Sequence, residues 1–417
     1  MPAFSLSIDA AQLLAQIHTL GAIGADESDG GRTRVAASDE DKLGRDQLVQ
    51  WMRDLLLEVR VDRMGNIFGI LRSPSDEGDR QPLMIGSHID TVRNAGALDG
   101  SYGVLAGLAV VRAYRAAGVS PKRSIIVAAF TNEEGVRYQP DMTGSLVYAG
   151  GLPVEVALDL IGTDGTRLGD ELARIGYAGD LEPGAILPRE YLELHVEQGP
   201  ILEAEGQLIG VVDNLQGISW QKITVRGVAN HAGTTPTRMR HDAGYVAAAI
   251  ITFLRERVVG AAPETTLATT GSIRFEPDVI NVIPRLATFT VDLRDPNEQR
   301  LQSAERQLSD FLAEIAEREG VTIECERLAR FEPVIFDAAL AADIEASARG
   351  LGFSHRRMTS GAGHDAQMIA RMAPAAMIFV PSRGGISHNP REHTDEAHLV
   401  CGAQVLLDVV QRRLAAD

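Results

Sequence analysis

Two apolar runs of strand length, LMIGSH at 83–88 and SIIVAAF at 124–130, bracket a helical stretch at 103–117. Strand, helix, strand at this spacing implies parallel neighbours in a sheet, joined by a crossover helix. Such sheets carry helices on both faces, which explains why the runs are apolar throughout rather than alternating. Ligands of open α/β sheets gather beyond the carboxyl ends of the strands. His88, Glu133 and Glu134 fall there, directly after their apolar runs.

The rest of the chain extends this picture. Residues 46–59 set Leu48, Trp51, Met52, Leu55 and Leu56 on one stripe and predict a helix packed inward. From about Ile218 the rhythm changes: SWQKITVRGV alternates like a half-exposed strand, and a helix is predicted at 241–258. Strands follow near 266–275 and 286–294, then a long amphipathic helix at 297–318 and a strand at 320–326. The order β-α-β-β-α-β describes a split βαβ sandwich. After Phe331 the α/β rhythm resumes with a helix near 337–350, the strand AAMIFV at 375–380 and a terminal helix from about 396. The expected organisation is an α/β catalytic domain with a mostly parallel sheet, made of residues 1–214 and 331–417, interrupted by an inserted βαββαβ domain at 215–330.

Composition bounds the partners. The 417 residues carry a net charge of −17, which argues against nucleic acid and against an anionic membrane surface. No apolar run reaches membrane length, and MPAFSLSIDA has no basic region followed by an apolar core, so a cytoplasmic protein is expected. Cys325 and Cys401 share no metal-type spacing, and two cysteines cannot form a disulfide framework.

Chemistry-bearing residues concentrate in short glycine- or proline-flanked segments: SHIDT (87–91), LDGSYGV (98–104), TNEEG (131–135), ELHVEQGP (193–200), ANHAGTTP (229–236), SGAGHDA (360–366) and GGISHNP (384–390). A hydrolytic site built on two cations roughly 3.5–4 Å apart needs a bridging carboxylate and terminal ligands on each metal. It also needs a carboxylate that ligates neither, to take a proton from water. The chain can supply every part. His88 and His195 suit one metal, Glu134 and His388 the other, and Asp99 the bridge; Glu133 suits the general base. Asp90, two residues after His88, suits an acceptor for the imidazole's second N–H. Imidazole and carboxylate donors without thiolate favour Zn²⁺, with Mn²⁺, Co²⁺ or Ni²⁺ as alternatives. Gly86 and Gly100 are expected to let the backbone approach the metals.

These segments resemble the di-zinc aminoacylase/carboxypeptidase superfamily, and within it the hydantoinase/carbamoylase amidases. His88, Asp90, Asp99, Glu133 and Glu134 match the general signature; ELHVEQGP, HAGTTP, NVIP, DLR, SGAGHDA and GISH match the narrower branch, across nearly the whole chain. One departure is Arg93-Asn94-Ala95-Gly96, where relatives often have a proline and paired glycines. The resemblance implies that His231 is a lid histidine stabilising the oxyanion, and that Asn281 and Arg294 hold the substrate's amide and carboxylate. It further implies that Gln198 and His364 line the pocket, and that the inserted ferredoxin-like domain is a lid mediating homodimerisation. The expected substrate is a small ureido compound bearing a carboxylate, an N-carbamoyl-L-amino acid. Allantoate amidohydrolase and β-ureidopropionase are the near alternatives. An aminoacylase or dipeptidase is more distant, because a carboxylate in place of His195 would favour it. A metal-binding scaffold without catalysis would lack Glu133 or the bridging aspartate, and both are present.

Overall fold

The computed structural model describes residues 6–74, 81–262 and 265–415, so the first five residues of MPAFSLSIDA lie outside it. The chain forms two compact units, one of 1–213 with 336–417 and one of 214–335. In chain order the strands are β1 (Glu58–Val61), β2 (Ile67–Leu71), β3 (Leu83–His88), β4 (Ile125–Phe130), β5 (Glu190–Val196) and β6 (Ile209–Leu215). They continue with β7 (Gly217–Arg226), β8 (Asn230–His231), β9 (Leu267–Thr269), β10 (Ile273–Glu276), β11 (Val282–Ile283) and β12 (Leu286–Asp295). The last four are β13 (Thr322–Phe331), β14 (Val334–Ile335), β15 (His355–Ser360) and β16 (Ala375–Val380).

The larger unit is built on a sheet ordered β1-β2-β4-β3-β5-β16-β6, with β15 on β6. Its four central strands, β4, β3, β5 and β16, are mutually parallel. Every residue of these four strands is buried; β4 and β16 read as unbroken apolar runs, whereas β5 (EYLELHV) buries Glu190, Glu193 and His195 as well. The flanking strands β1, β2 and β6 pair antiparallel, so the margins are mixed while the centre follows the parallel expectation. Helix Ser101–Ala117 seats its Gly107 against Ile85 and Val127, on one face of the sheet. The short helix Asp365–Ile369 is tied by its Ala366 N–H to Glu193, whose side chain has the opposite parity to Leu192 and so belongs to the other face.

The helix expected at 46–59 is shifted. It runs Asp39–Asp54, because Ser38 caps it by accepting from the Asp41 N–H and three acidic residues favour its first turn. Leu56 adopts a left-handed φ of 54° and stays exposed, which ends the stripe before β1 begins. Inside this helix Arg45 is fully buried and bonds Asp41 (2.7 Å), the Gly65 carbonyl (2.6 Å) and Thr131 Oγ1 (3.1 Å).

The second unit is an antiparallel sheet ordered β10-β12-β7-β13. Inward residues of β7 and β12, among them Ile223, Val225, Phe289 and Leu293, pack against helices Ala243–Phe253 and Glu298–Glu319. The single strand expected near 266–275 is two pieces, β9 and β10, both paired with β12. Between them Ser272 exchanges bonds with Thr290, its N–H going to the Thr290 hydroxyl, and the regular ladder is interrupted. Among the described residues, no helix is long and apolar enough to cross a membrane.

The buried Arg45–Asp41 pair generates a stability prediction. Arg45→Met leaves a buried carboxylate uncompensated and should cost roughly 3–5 kcal/mol in denaturant unfolding. Lys42→Met, which removes only an exposed pair with Asp46, should cost under about 1 kcal/mol. Equal losses would contradict this account of the helix.

Candidate metal centre

The parallel centre of the sheet delivers the chemistry. His88 is the last residue of β3, His195 the penultimate residue of β5, Glu133 and Glu134 follow β4, and His388 follows β16. Asp99 arrives on the segment between β3 and the helix at Ser101. Four parallel strands and the segments after them therefore empty their side chains into one place, as carboxyl-end geometry dictates.

Among the described residues three overlapping groups result, His88–Asp99–His195, Asp99–Glu134–His388 and Glu193–His195–His364, each with its donor atoms within 4.8 Å of one another. Asp99 belongs to the first two. Its Oδ1 lies 3.1 Å from His195 Nε2 and 3.6 Å from His88 Nε2, while its Oδ2 lies 3.2 Å from His388 Nε2. His388 Nε2 is also 3.5 Å from Glu134 Oε2. The two β-strand histidines are oriented from behind. His88 Nδ1 bonds the Asp90 main-chain carbonyl at 3.0 Å, and His195 Nδ1 bonds the Val196 carbonyl at 2.8 Å, so both rings turn Nε2 toward Asp99.

Asp90 makes the expected contact with the second ring nitrogen of His88, through its main-chain carbonyl. Its carboxylate stands 3.9 Å from His88 Nδ1 and instead accepts the Glu133 and Glu134 N–H groups, each at 3.3 Å. The main chain orients the ring, and the side chain fastens the double-glutamate turn. Gly86 differs from expectation: a Cβ there would meet Ala128 and Tyr191, so it serves strand packing rather than metal approach. Gly100 does face the site, since a Cβ would fall 2.4 Å from the His88 ring, at a φ of +63°. The departing loop is braced by its own contacts. Asn94 takes a left-handed φ of 54° and its N–H bonds Thr33 Oγ1, while Gly96 packs against Glu392 with no room for a side chain.

Glu133 is buried with Oε2 3.4 Å from His88 Nε2, and belongs to none of the donor groups. Burial, then the charges of Glu134, Asp365 and Asp99, push its carboxyl well above the usual carboxylate range. Glu134 is raised by burial and by Asp99 and Asp90. Burial lowers the His88 ring to about 4, outweighing Asp99, and keeps it a neutral donor.

Gln198 does more than line a wall: its Nε2 donates to Asp99 Oδ2 at 2.8 Å and to Ser387 Oγ at 3.2 Å. His364 is buried 4.5 Å from the His195 ring, centroid to centroid, and bonds Ser360 Oγ. Both border a cavity of about 160 Å³ shared with Asp99, Glu133, Glu134, Asp141 and His388.

Three predicted residues belong to the smaller unit. His231 on β8 pairs with Val282 on β11, and the Ala232 N–H bonds the Asn281 carbonyl, so His231 and Asn281 share one ribbon. His231 Nδ1 accepts the Gly233 and Thr234 N–H groups at 3.0 and 3.2 Å, which leaves Nε2 as the protonated, donating nitrogen. Arg294 on β12 grips Asp292 through Nε (3.0 Å) and Nη2 (2.9 Å).

The sequence reading missed Glu392 and Glu193. Glu392 Oε1 accepts the Leu98 and Asp99 N–H groups at 2.7 and 3.3 Å, and burial raises its carboxyl to about 7. Glu193 accepts from Ser87 Oγ (2.7 Å) and the Ala366 N–H (2.8 Å). Their positions beside His388 and His195 in sequence were the available signal.

This arrangement defines a hydrolase site of imidazoles and carboxylates made for paired cations. The chain belongs to peptidase family M20/M25/M40, whose profile matches residues 84–412. It is 40% identical over 381 residues to the N-carbamoyl-L-amino-acid amidohydrolase of Rhizobium meliloti, covering 91% of each chain. It is 34% identical over 387 residues to the allantoate amidohydrolase of Bacillus subtilis, covering 92% of this chain and 93% of that one. A crystal structure of a hydantoinase/carbamoylase family amidase from Burkholderia multivorans matches with a TM-score of 0.94 at 39% identity, over 98% of each chain. The protein is an amidohydrolase, acting on carbon–nitrogen bonds other than peptide bonds. Enzymes of this family typically depend on two metal ions. The residues fit that requirement: Asp99 directs one oxygen to each of its two donor groups, and the buried carboxylates are destabilised until cations offset them.

Gly100→Ala tests the geometry. The added methyl collides with the His88 ring, and an L side chain at φ 63°, ψ −53° lies outside the left-handed helical region and is itself strained. Elemental analysis should show metal content well below wild type in a folded protein. Full wild-type metal content would mean the ring is not held where its ligand role needs it.

Proposed function

We propose that the chain hydrolyses the ureido C–N bond of N-carbamoyl-L-amino acids, yielding the L-amino acid, carbon dioxide and ammonia. The proposal takes Zn²⁺ as the native metal, with Mn²⁺, Co²⁺ or Ni²⁺ suited to the same donors, and a homodimer formed through the inserted unit. The observation that carries it is the 40% identity to a carbamoyl-amino-acid amidohydrolase along 91% of both chains. The imidazole of His195 among the donors supports it further, since a carboxylate there would favour an ordinary acylamino acid.

In this reading His88 and His195 would hold one cation, Glu134 and His388 the other, with Asp99 serving both. Bound divalent cations supply Lewis acidity toward a carbonyl and toward water. Glu133 removes the proton from the attacking water and returns it to the departing nitrogen. Its position suits the task, because it stands beside His88 without belonging to a donor group. Asp90 keeps Glu133 in place through its backbone N–H. His231 donates through Nε2 to the developing oxyanion, a role favoured by the two amides that occupy its Nδ1. Arg294 takes the substrate carboxylate with the same fork that grips Asp292, and Asn281 takes the amide. Gln198 and His364 shape the cavity wall.

A second reading, allantoate hydrolysis, is favoured by the Bacillus subtilis relative, which matches over a comparable span. The two separate in one assay: ammonia release from N-carbamoyl amino acids and from allantoate, beside amine release from N-acetyl amino acids. The fastest turnover is expected on an N-carbamoyl-L-amino acid, and Glu133→Gln should keep its metals while losing about 10²–10⁴-fold in rate. Faster turnover of allantoate would transfer the assignment to the second reading. Preference for N-acetyl substrates would overturn both.

A further inference from the structure

The segment around Arg34 carries none of the metal-binding motifs, yet it runs beside the loops that do. Arg32 and Ala95 exchange backbone hydrogen bonds of 3.0 and 2.7 Å. The Arg34 N–H donates to Thr91 Oγ1 at 2.9 Å, and the Thr91 N–H returns a bond to the Arg34 carbonyl at 3.0 Å. The Arg34 side chain is fully buried and uses all three guanidinium nitrogens. Nε donates to the Ile89 carbonyl (2.8 Å), Nη1 to the Leu20 (3.0 Å) and Ile23 (2.9 Å) carbonyls, and Nη2 to Ser101 Oγ (3.1 Å).

Two of these acceptors belong to the metal loops. Ile89 is the residue between His88 and Asp90, and Asp90's carbonyl orients the His88 ring. Ser101 follows Asp99 and Gly100, and its own N–H bonds the Asp99 carbonyl at 2.6 Å. A single rigid, planar fork thus spans the loop that carries His88 and the turn that carries Asp99. Its acceptors are neutral oxygens, so the burial of its charge is not explained by an ion pair. A lysine could not replace it, because one ammonium cannot reach oxygens on three separate segments at fixed angles.

We propose that Arg34 is a positioning residue of the metal centre, fixing His88 relative to Asp99 from behind so that their facing atoms keep the separation one cation needs. The inference rests on the metal reading above, and the test keeps the two apart. Cobalt is titrated into metal-free wild type, Arg34→Met and Arg34→Lys, following binding by calorimetry and by the visible d–d spectrum, with thermal unfolding measured in parallel. Wild type should take up two cobalt ions. Both variants should fold, with at least one site weakened about 10- to 100-fold and an altered spectrum, as expected when the support of a ligand is removed. His88→Ala provides the reference spectrum for a disturbed first site. A purely structural role for Arg34 would lower the unfolding temperature while leaving cobalt affinity and spectrum at wild-type values, and that result overturns the proposal. Should Arg34→Met fail to fold, Arg34→Lys and Ser101→Ala, which removes one acceptor alone, decide between the same two outcomes. Failure of wild type itself to bind cobalt would remove the metal reading and this inference with it.

Discussion

The structure depends on a problem of charge. Asp90, Asp99, Glu133, Glu134 and Glu392 converge in one largely buried cluster, offset in part by imidazoles, by backbone N–H groups and, at Asp90, by Arg45. Burial and mutual repulsion raise Glu133 and Glu134 far above their ordinary range, a cost that no fold carries without compensation. Divalent cations, on which enzymes of this family typically depend, would offset it. Asp99 is the hinge of that solution, because its two oxygens face different histidines and so can answer two positive charges at once.

The fold supplies such a cluster cheaply. Parallel strands end together, so side chains from the segments after β3, β4, β5 and β16 meet with no long loops to order. Main-chain groups then do most of the aiming: carbonyls of Asp90 and Val196 turn the rings, and amides of Glu133, Glu134, Leu98 and Asp99 are collected by Asp90 and Glu392. Charged side chains that look like surface residues in the sequence are here the fasteners of ligand loops.

That contrast explains what could be read without coordinates. The central strands β3, β4 and β16 were legible because burial on both faces leaves an apolar run, and His88, Glu133 and Glu134 because they end or follow such runs; β5 was not, because buried Glu190, Glu193 and His195 break its apolar pattern. Helix limits were less so: the stripe at 46–59 continues through Leu55 and Leu56, but the left-handed turn at Leu56 is a backbone event with no periodic signature. The break between β9 and β10 turns on one Thr290 hydroxyl competing with the ladder. Arg34 was invisible for a different reason. It lies dozens of residues from the loops it holds, and a lone charged residue far from a motif reads as solvated until tertiary structure buries it. Asp90 was legible as the partner of the His88 ring from its spacing, but its carboxylate's hold on the Glu133 and Glu134 N–H groups was not.

The central claim is that one carboxylate holds two cations together. Metal content per chain, measured by elemental analysis on wild type and on Asp99→Ala purified without chelator, tests it most directly. The account predicts close to two metals in wild type and loss from both positions in the variant, because each of the two donor groups that Asp99 joins loses its shared oxygen. An Asp99→Ala protein that keeps its full complement would contradict it.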